Sequence, residues 1–135
     1  MSSPKKIVLA NGCFDVLHYG HFLHLRSARA MGDFLNVAIT KDEFVGKGPD
    51  RPYYGQDKRS LMVLALKYVS STLLVEDVVE AFEYYKPDIW ALGLEYEGKV
   101  RPEHAEYCKS NGIEIRFTDE ERDSSTNLIN ELRRC

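Results

Sequence analysis

The feature that most constrains this chain is an alternation. Five short apolar runs, "KIVLA" (6–10), "FLNVAIT" (34–40), "STLLV" (71–75), "DIWALG" (88–93) and "IEIRFT" (113–118), are separated by longer stretches of helical character. The runs have strand length and the intervals have helix length. Residues 20–31 carry an apolar face of Phe22, Leu23, Leu25, Ala28 and Met31, stopped by Gly32-Asp33. Residues 57–69 carry Leu61, Leu64, Ala65, Tyr68 and Val69 as an i, i+3, i+4, i+7 stripe. "DVVEAFEYYK" is amphipathic and ends before Pro87, and "PEHAEYCKSNG" is stopped by Asn111-Gly112. "SSTNLINELRR" reads as a final capped helix. Strands that alternate with helices need right-handed crossovers, so the expected fold is α/β. It is a Rossmann-like, doubly wound, five-stranded parallel sheet in an α/β/α sandwich. The 135 residues show no repeat, linker or low-complexity segment, which predicts one domain over 1–135.

In an open parallel sheet the ligand crevice lies beyond the carboxyl ends of the strands. The loop "NGCFDVLHYGH" (11–21) leaves the first strand at that edge, as do the loops after Thr40, Leu92 and Thr118. His18 and His21 fall near the start of the next helix, on one side of a single turn. Gly20 removes a side chain between them, so a ligand can approach the backbone. A helix start offers unpaired N–H groups and partial positive charge, which suits a phosphate. Two imidazoles can each donate to phosphate oxygens and stabilise charge that builds on phosphorus. His24 reads as a packing or partly exposed residue, and Cys13 as a small buried thiol.

Other classes fit poorly. The formal net charge of −3 speaks against a general nucleic-acid binder. No apolar run is long enough to span a membrane. "MSSPKK" runs straight into the first strand without a secretory core. Three scattered cysteines, Cys13, Cys108 and Cys135, form no disulfide pattern, and a reducing cytoplasm is the expectation.

The stretch "GCFDVLHYGH" resembles the signature of the cytidylyltransferase-like nucleotidyltransferases, whose hallmark is His-x-Gly-His after the first strand. The likeness runs from about Lys6 to about Asn130. "NGCFD" and "KGPDRP" resemble the heptose-1-phosphate adenylyltransferase branch, while "VAITKDEF" and "EYEGKV" resemble glycerol-3-phosphate cytidylyltransferase. "DSSTNLI" resembles the family's hydroxyl-rich segment before the last helix. The resemblance implies transfer of a nucleotidyl group from a nucleoside triphosphate to a phosphorylated sugar or polyol. CTP stands ahead of ATP as donor, pyrophosphate is released, and Mg²⁺ accompanies the triphosphate. A homodimer and no membrane or nucleic-acid partner complete the expectation.

By that resemblance His18 and His21 hold the α- and β-phosphates in the transition state, and Lys47 binds phosphate from "VGKGPDRP". Gly12, Cys13, Phe14, Asp15 and Gly20 form the nucleotide side of the first loop. Arg59 matches an arginine that the family keeps. It lies beside Lys58 at a helix start, where a basic residue opposes the helix dipole and an external anion would explain it. Ser124, Ser125 and Thr126 can both cap the last helix and cradle a phosphate. Gly93 and Glu95 lie where the base is read, near residues 92–97.

Two positions depart from the cytidylyltransferase pattern. Asp119 stands where that branch has an arginine, with Arg116 and Arg122 nearby, and Leu94 replaces the first residue of an acidic pair after Gly93. These changes motivate an alternative, a catalytically silent nucleotide-binding module. A further alternative is a zinc site built from Cys13, Asp15, His18, His21 and His24, although the glycine in the motif speaks against it.

Overall fold

The computed structural model describes residues 4–46, 48 and 51–119. Five strands, β1 (Ile7–Gly12), β2 (Phe34–Thr40), β3 (Ser71–Val75), β4 (Ile89–Gly93) and β5 (Glu114–Thr118), form one all-parallel sheet in the order β3-β2-β1-β4-β5. Helices α1 (Tyr19–Arg29), α2 (Gln56–Leu64), α3 (Val78–Tyr85) and α4 (Pro102–Ser110) make the crossovers. Two short 3₁₀ turns, Asp42–Phe44 and Leu94–Tyr96, follow β2 and β4 at the carboxyl edge. The expected helix at the end of the chain lies outside the described residues.

The sheet is buried on both faces, which is why its central strands are apolar at successive positions. Val8, Ala10, Leu35, Val37 and Ile39 pack on one face with Leu25 and Ala28 of α1 and Val63 of α2. Leu9, Ala38, Trp90 and Leu92 pack on the other with Ala81 and Phe82 of α3 and Cys108 of α4. The edge strand β5 alternates exposed and covered residues instead, consistent with its mixed sequence. Asp77 starts α3 through a reciprocal capping box with Glu80, and Lys86 ends it in the left-handed region at φ 49°.

The second helix departs from the expectation. It stops at Leu64 rather than at residue 69. Its buried residues are Arg59 and Val63, while Leu61 and Leu64 are 67% and 44% exposed. The Arg59 side chain occupies the inward face, which turns the predicted stripe towards solvent. Leu66 and Val69, beyond the helix end, do pack against the core.

Strand order places the crevice. β1 runs beside β2 for six registered pairs but beside β4 for only two, Val8 with Ile89 and Leu9 with Trp90. Beyond Leu9 the two strands share no registered pair, just where the sheet changes winding direction. The Asn11 side chain spans the two strands by accepting a hydrogen bond from the Trp90 indole N–H at 2.8 Å.

Candidate functional site

A cleft of about 440 Å³ opens at this split. Asn11, Gly12, Cys13 and Phe14 line it from the end of β1, and Leu92, Gly93 and Glu95 from the end of β4. His21 and His24 of α1 form another wall, and Thr40, Val78, Trp90, Lys99, Arg101 and His104 are among the other lining residues. Of the residues expected to bind nucleotide or act in catalysis, Gly12, Cys13, Phe14, His21, Gly93 and Glu95 line this cleft, while His18 lies outside its lining.

His18 is the N-cap of α1 and His21 its third residue. The His18 Nδ1 accepts the Gly20 amide at 3.0 Å, and the His21 Nδ1 accepts the His18 amide at 3.3 Å. This is a capping box built from two imidazoles, where Ser or Thr with Glu or Gln is usual. A ring nitrogen that accepts an amide carries no hydrogen, so each neutral ring bears its hydrogen on Nε2. The rings stack with centroids 3.8 Å apart at 25°. His18 is exposed and His21 half-buried, so neither ring is turned into the core. The motif therefore spends both δ nitrogens on the backbone and puts the hydrogen of each neutral ring on its ε nitrogen, beside a helix N-terminus. Gly20 contributes through its amide.

Phe14 positions this pair. It is 4% exposed, with φ 50°, and its ring meets the His21 ring edge-on at 5.1 Å. A Cβ on Gly12 would approach the Phe14 ring to 3.0 Å, so glycine at position 12 lets the aromatic ring fold back beneath the histidine.

His24 is packed into the fold as expected, and it also lines the cleft. It is 9% exposed, and its Nδ1 lies 2.7 Å from the Thr118 hydroxyl. Thr118 Oγ1 in turn donates to the Leu92 carbonyl at 3.4 Å. Burial pushes the ring's pKa below its ordinary value, against an upward pull from Glu95. On the opposite wall, His104 Nε2 lies 3.1 Å from Asp77 Oδ2. Trp90, His24 and His104 were not read as cleft residues, and Asn11 was placed there only as part of the first loop. The one local signal was the Asp77-x-x-Glu80 spacing, which marks a helix start at the carboxyl edge.

Two expected nucleotide residues face elsewhere. Asp15 is 3% exposed and accepts the amides of Tyr53 and Tyr54 at 2.6 and 3.1 Å, with the Arg51 guanidinium 2.9 Å away. It ties the first loop to the segment before α2. Arg59 is fully buried and donates to the Tyr54 carbonyl, the Cys13 carbonyl and Asp42 Oδ1 at 2.9, 2.8 and 2.7 Å. It is a clamp beneath the loop, not an anion ligand at the cleft. These partners also disperse the zinc alternative. Asp15 and His24 are taken up elsewhere, and the described residues contain no group of three or more His, Cys, Asp or Glu placed for a metal. Lys47, Arg122, Ser124, Ser125 and Thr126 lie outside the described residues.

Asp15 gives a pH-dependent prediction. Burial pushes its carboxyl pKa up. The Tyr54 and Tyr53 amides and the charges of Arg51 and Arg59 outweigh this and hold it below its ordinary value. A depressed carboxylate contributes stability above its unfolded pKa of about 3.9 and loses it as pH falls through the folded value. Denaturant unfolding followed from about pH 7 to about pH 3 is expected to show a shallower loss of stability in Asp15→Asn than in the parent. Equal slopes would remove Asp15 from the acid response.

A model of the family described as cytidylyltransferase-like matches residues 9–131. The bifunctional protein HldE of Campylobacter fetus is 36% identical over 135 residues, taking in 97% of this chain and 29% of that protein. HldE of Azotobacter vinelandii is 37% identical, covering 96% of this chain and 28% of its own length. The chain thus spans less than a third of these relatives. Among solved structures, a lipopolysaccharide core biosynthesis protein from Thermoplasma volcanium matches with TM-score 0.72 and 27% identity, over 86% of this chain and 98% of that one. A pantoate-beta-alanine ligase from Francisella tularensis shares the fold at TM-score 0.62 and 15% identity, over 96% of this chain and 69% of that one.

Proposed function

The chain belongs to the cytidylyltransferase-like family, and on that premise we propose that it transfers a nucleotidyl group from ATP to a phosphorylated sugar, releasing pyrophosphate. The observation that carries this reading is the histidine pair at the head of α1, each ring fixed by its own cap bond, with His21 on the cleft wall and the His18 ring stacked against it from outside the cleft lining. The acceptor phosphate attacks the α-phosphorus, and negative charge grows on its oxygens. Donors already oriented towards that charge stabilise the transition state without reorganising. Magnesium arrives with the triphosphate and offsets its charge.

ATP is placed ahead of CTP for two reasons. Asp119 and Leu94 depart from the cytidylyltransferase pattern. The opening loop and the "KGPDRP" segment follow the sugar-phosphate branch, and the Thermoplasma relative is described as a lipopolysaccharide core biosynthesis protein. Pyrophosphate release from ATP and from CTP, assayed against a panel of sugar and polyol phosphates, is the direct test. Turnover is expected with ATP and at least one sugar phosphate. Tight nucleotide binding with no turnover across the panel would favour the silent module instead.

Lys47 sits between Gly46 and Gly48, whose φ angles of 65° and 107° are left-handed turns that suit glycine. We assign Lys47 the β- or γ-phosphate. Lys47→Ala is expected to raise the KM for nucleotide about tenfold, the loss of one charge-assisted contact. An unaltered KM would withdraw the assignment.

A further inference from the structure

We infer that His24 selects for ribose in the nucleotide donor: its Nε2 pairs with one ribose hydroxyl while the Glu95 carboxylate accepts from the other. The inference rests on the nucleotidyl-transfer reading above and adds a residue to it.

His24 lies one turn beyond His21 on α1, three residues at about 1.5 Å rise, or about 4.5 Å further along the helix axis, and both line the cleft. It is nine-tenths buried yet lines the cleft. Thr118, itself 1% exposed, holds Nδ1 at 2.7 Å and is tied to β4 through the Leu92 carbonyl. The ring is therefore locked by two strands. Its other nitrogen, Nε2, makes no hydrogen bond among the described residues and is not sealed within the protein. A polar atom of this kind must find a partner when a ligand displaces the cleft water, or it costs binding energy.

The chemistry of the partner follows. The Thr118 hydroxyl hydrogen goes to the Leu92 carbonyl, so His24 donates from Nδ1 and the Nε2 of the neutral ring is an acceptor, a place that a hydroxyl donor satisfies and a carbonyl does not. Glu95 supplies a second demand. Its carboxylate lies over the end of β4, where a Cβ on Gly93 would come within 2.5 Å of it, and its charge acts on His24. An ionised carboxylate only accepts. One site that takes a hydroxyl beside another that needs a donor matches a vicinal diol. In a nucleotide whose α-phosphate lies at His21, the ribose comes before the base, so the diol reaches His24 first.

The test measures binding, so that it is independent of turnover. Dissociation constants for ATP and CTP and for their 2′-deoxy and 3′-deoxy forms are determined by calorimetry with Mg²⁺ present. They are compared between the parent, His24→Leu and Thr118→Val. The parent is expected to bind the better ribonucleotide about tenfold tighter than at least one deoxy form, the scale of one buried hydrogen bond. His24→Leu is expected to weaken the ribonucleotide to the level of that deoxy form and to leave the deoxy form unchanged. Thr118→Val, which frees the ring, should narrow the gap. Equal affinities in the parent overturn the inference whether or not the variants fold. So does a His24→Leu protein that keeps the parent's preference. A parent that binds no nucleotide at all sinks the nucleotidyl-transfer reading itself, which is a distinguishable result.

Discussion

His18→Ala and His21→Ala are each expected to lower kcat about 10²- to 10³-fold, with a much smaller change in nucleotide KM. The size is that of one oriented donor lost from a site where charge develops, about 2.7–4 kcal/mol of transition-state stabilisation. Both residues also cap α1, so alanine removes a helix-start hydrogen bond worth about 1 kcal/mol. The two roles separate by substitution. His18→Asn keeps an N-cap acceptor, because Asn is among the best N-cap residues. His21→Gln keeps the reach back to the N-cap amide that a capping box requires. Neither amide reproduces an imidazole ε N–H at the same place. The expected pattern is near-parental thermal stability in His18→Asn and His21→Gln with the rate still lost. If the alanine variants melt earlier but turn over at the parental rate, the imidazoles are caps only and the phosphate role goes with them. Single-turnover measurement of nucleotidyl transfer distinguishes slower chemistry from slower product release.

Strand positions were legible to within a residue or two because burial on both faces leaves apolar runs that local reading detects. The place of the crevice followed from the same pattern, since a doubly wound sheet puts its ligands at the carboxyl edge. The histidine pair was legible as a motif, and the structure supplies what the motif could not, the direction of each ring. What local reading missed depends on distant partners. Trp90 meets Asn11 across 79 residues and His24 meets Thr118 across 94. No periodicity encodes such pairings, so His24 looked like packing. The stripe at 61–69 misled for a related reason. Hydrophobic spacing treats arginine as a surface residue, yet Arg59 buries its guanidinium by finding two carbonyls and a carboxylate.

That burial makes Arg59 the position where a single substitution should cost most in stability. Arg59→Met keeps much of the aliphatic stem but removes every donor. The carbonyls of Cys13 and Tyr54 then lose their partner. Asp42 loses its cation as well, although its side chain is 43% exposed and water can take over there. Breaking a fully buried pair costs about 3–5 kcal/mol, and the solvation left to Asp42 lowers the expected loss to about 2–4 kcal/mol. For a chain of this length the melting temperature should fall by about 10 °C. Arg59→Lys should recover little, because one ammonium cannot present the planar fork that meets three acceptors at 2.9, 2.8 and 2.7 Å. Activity should fall with stability, since the clamp holds the Cys13 carbonyl one residue from Phe14, which supports His21. The opposite pattern would restore the role that the sequence suggested. An Arg59→Met protein that melts within about 2 °C of the parent but binds nucleotide far more weakly would make Arg59 an anion ligand, and the clamp would have to be abandoned.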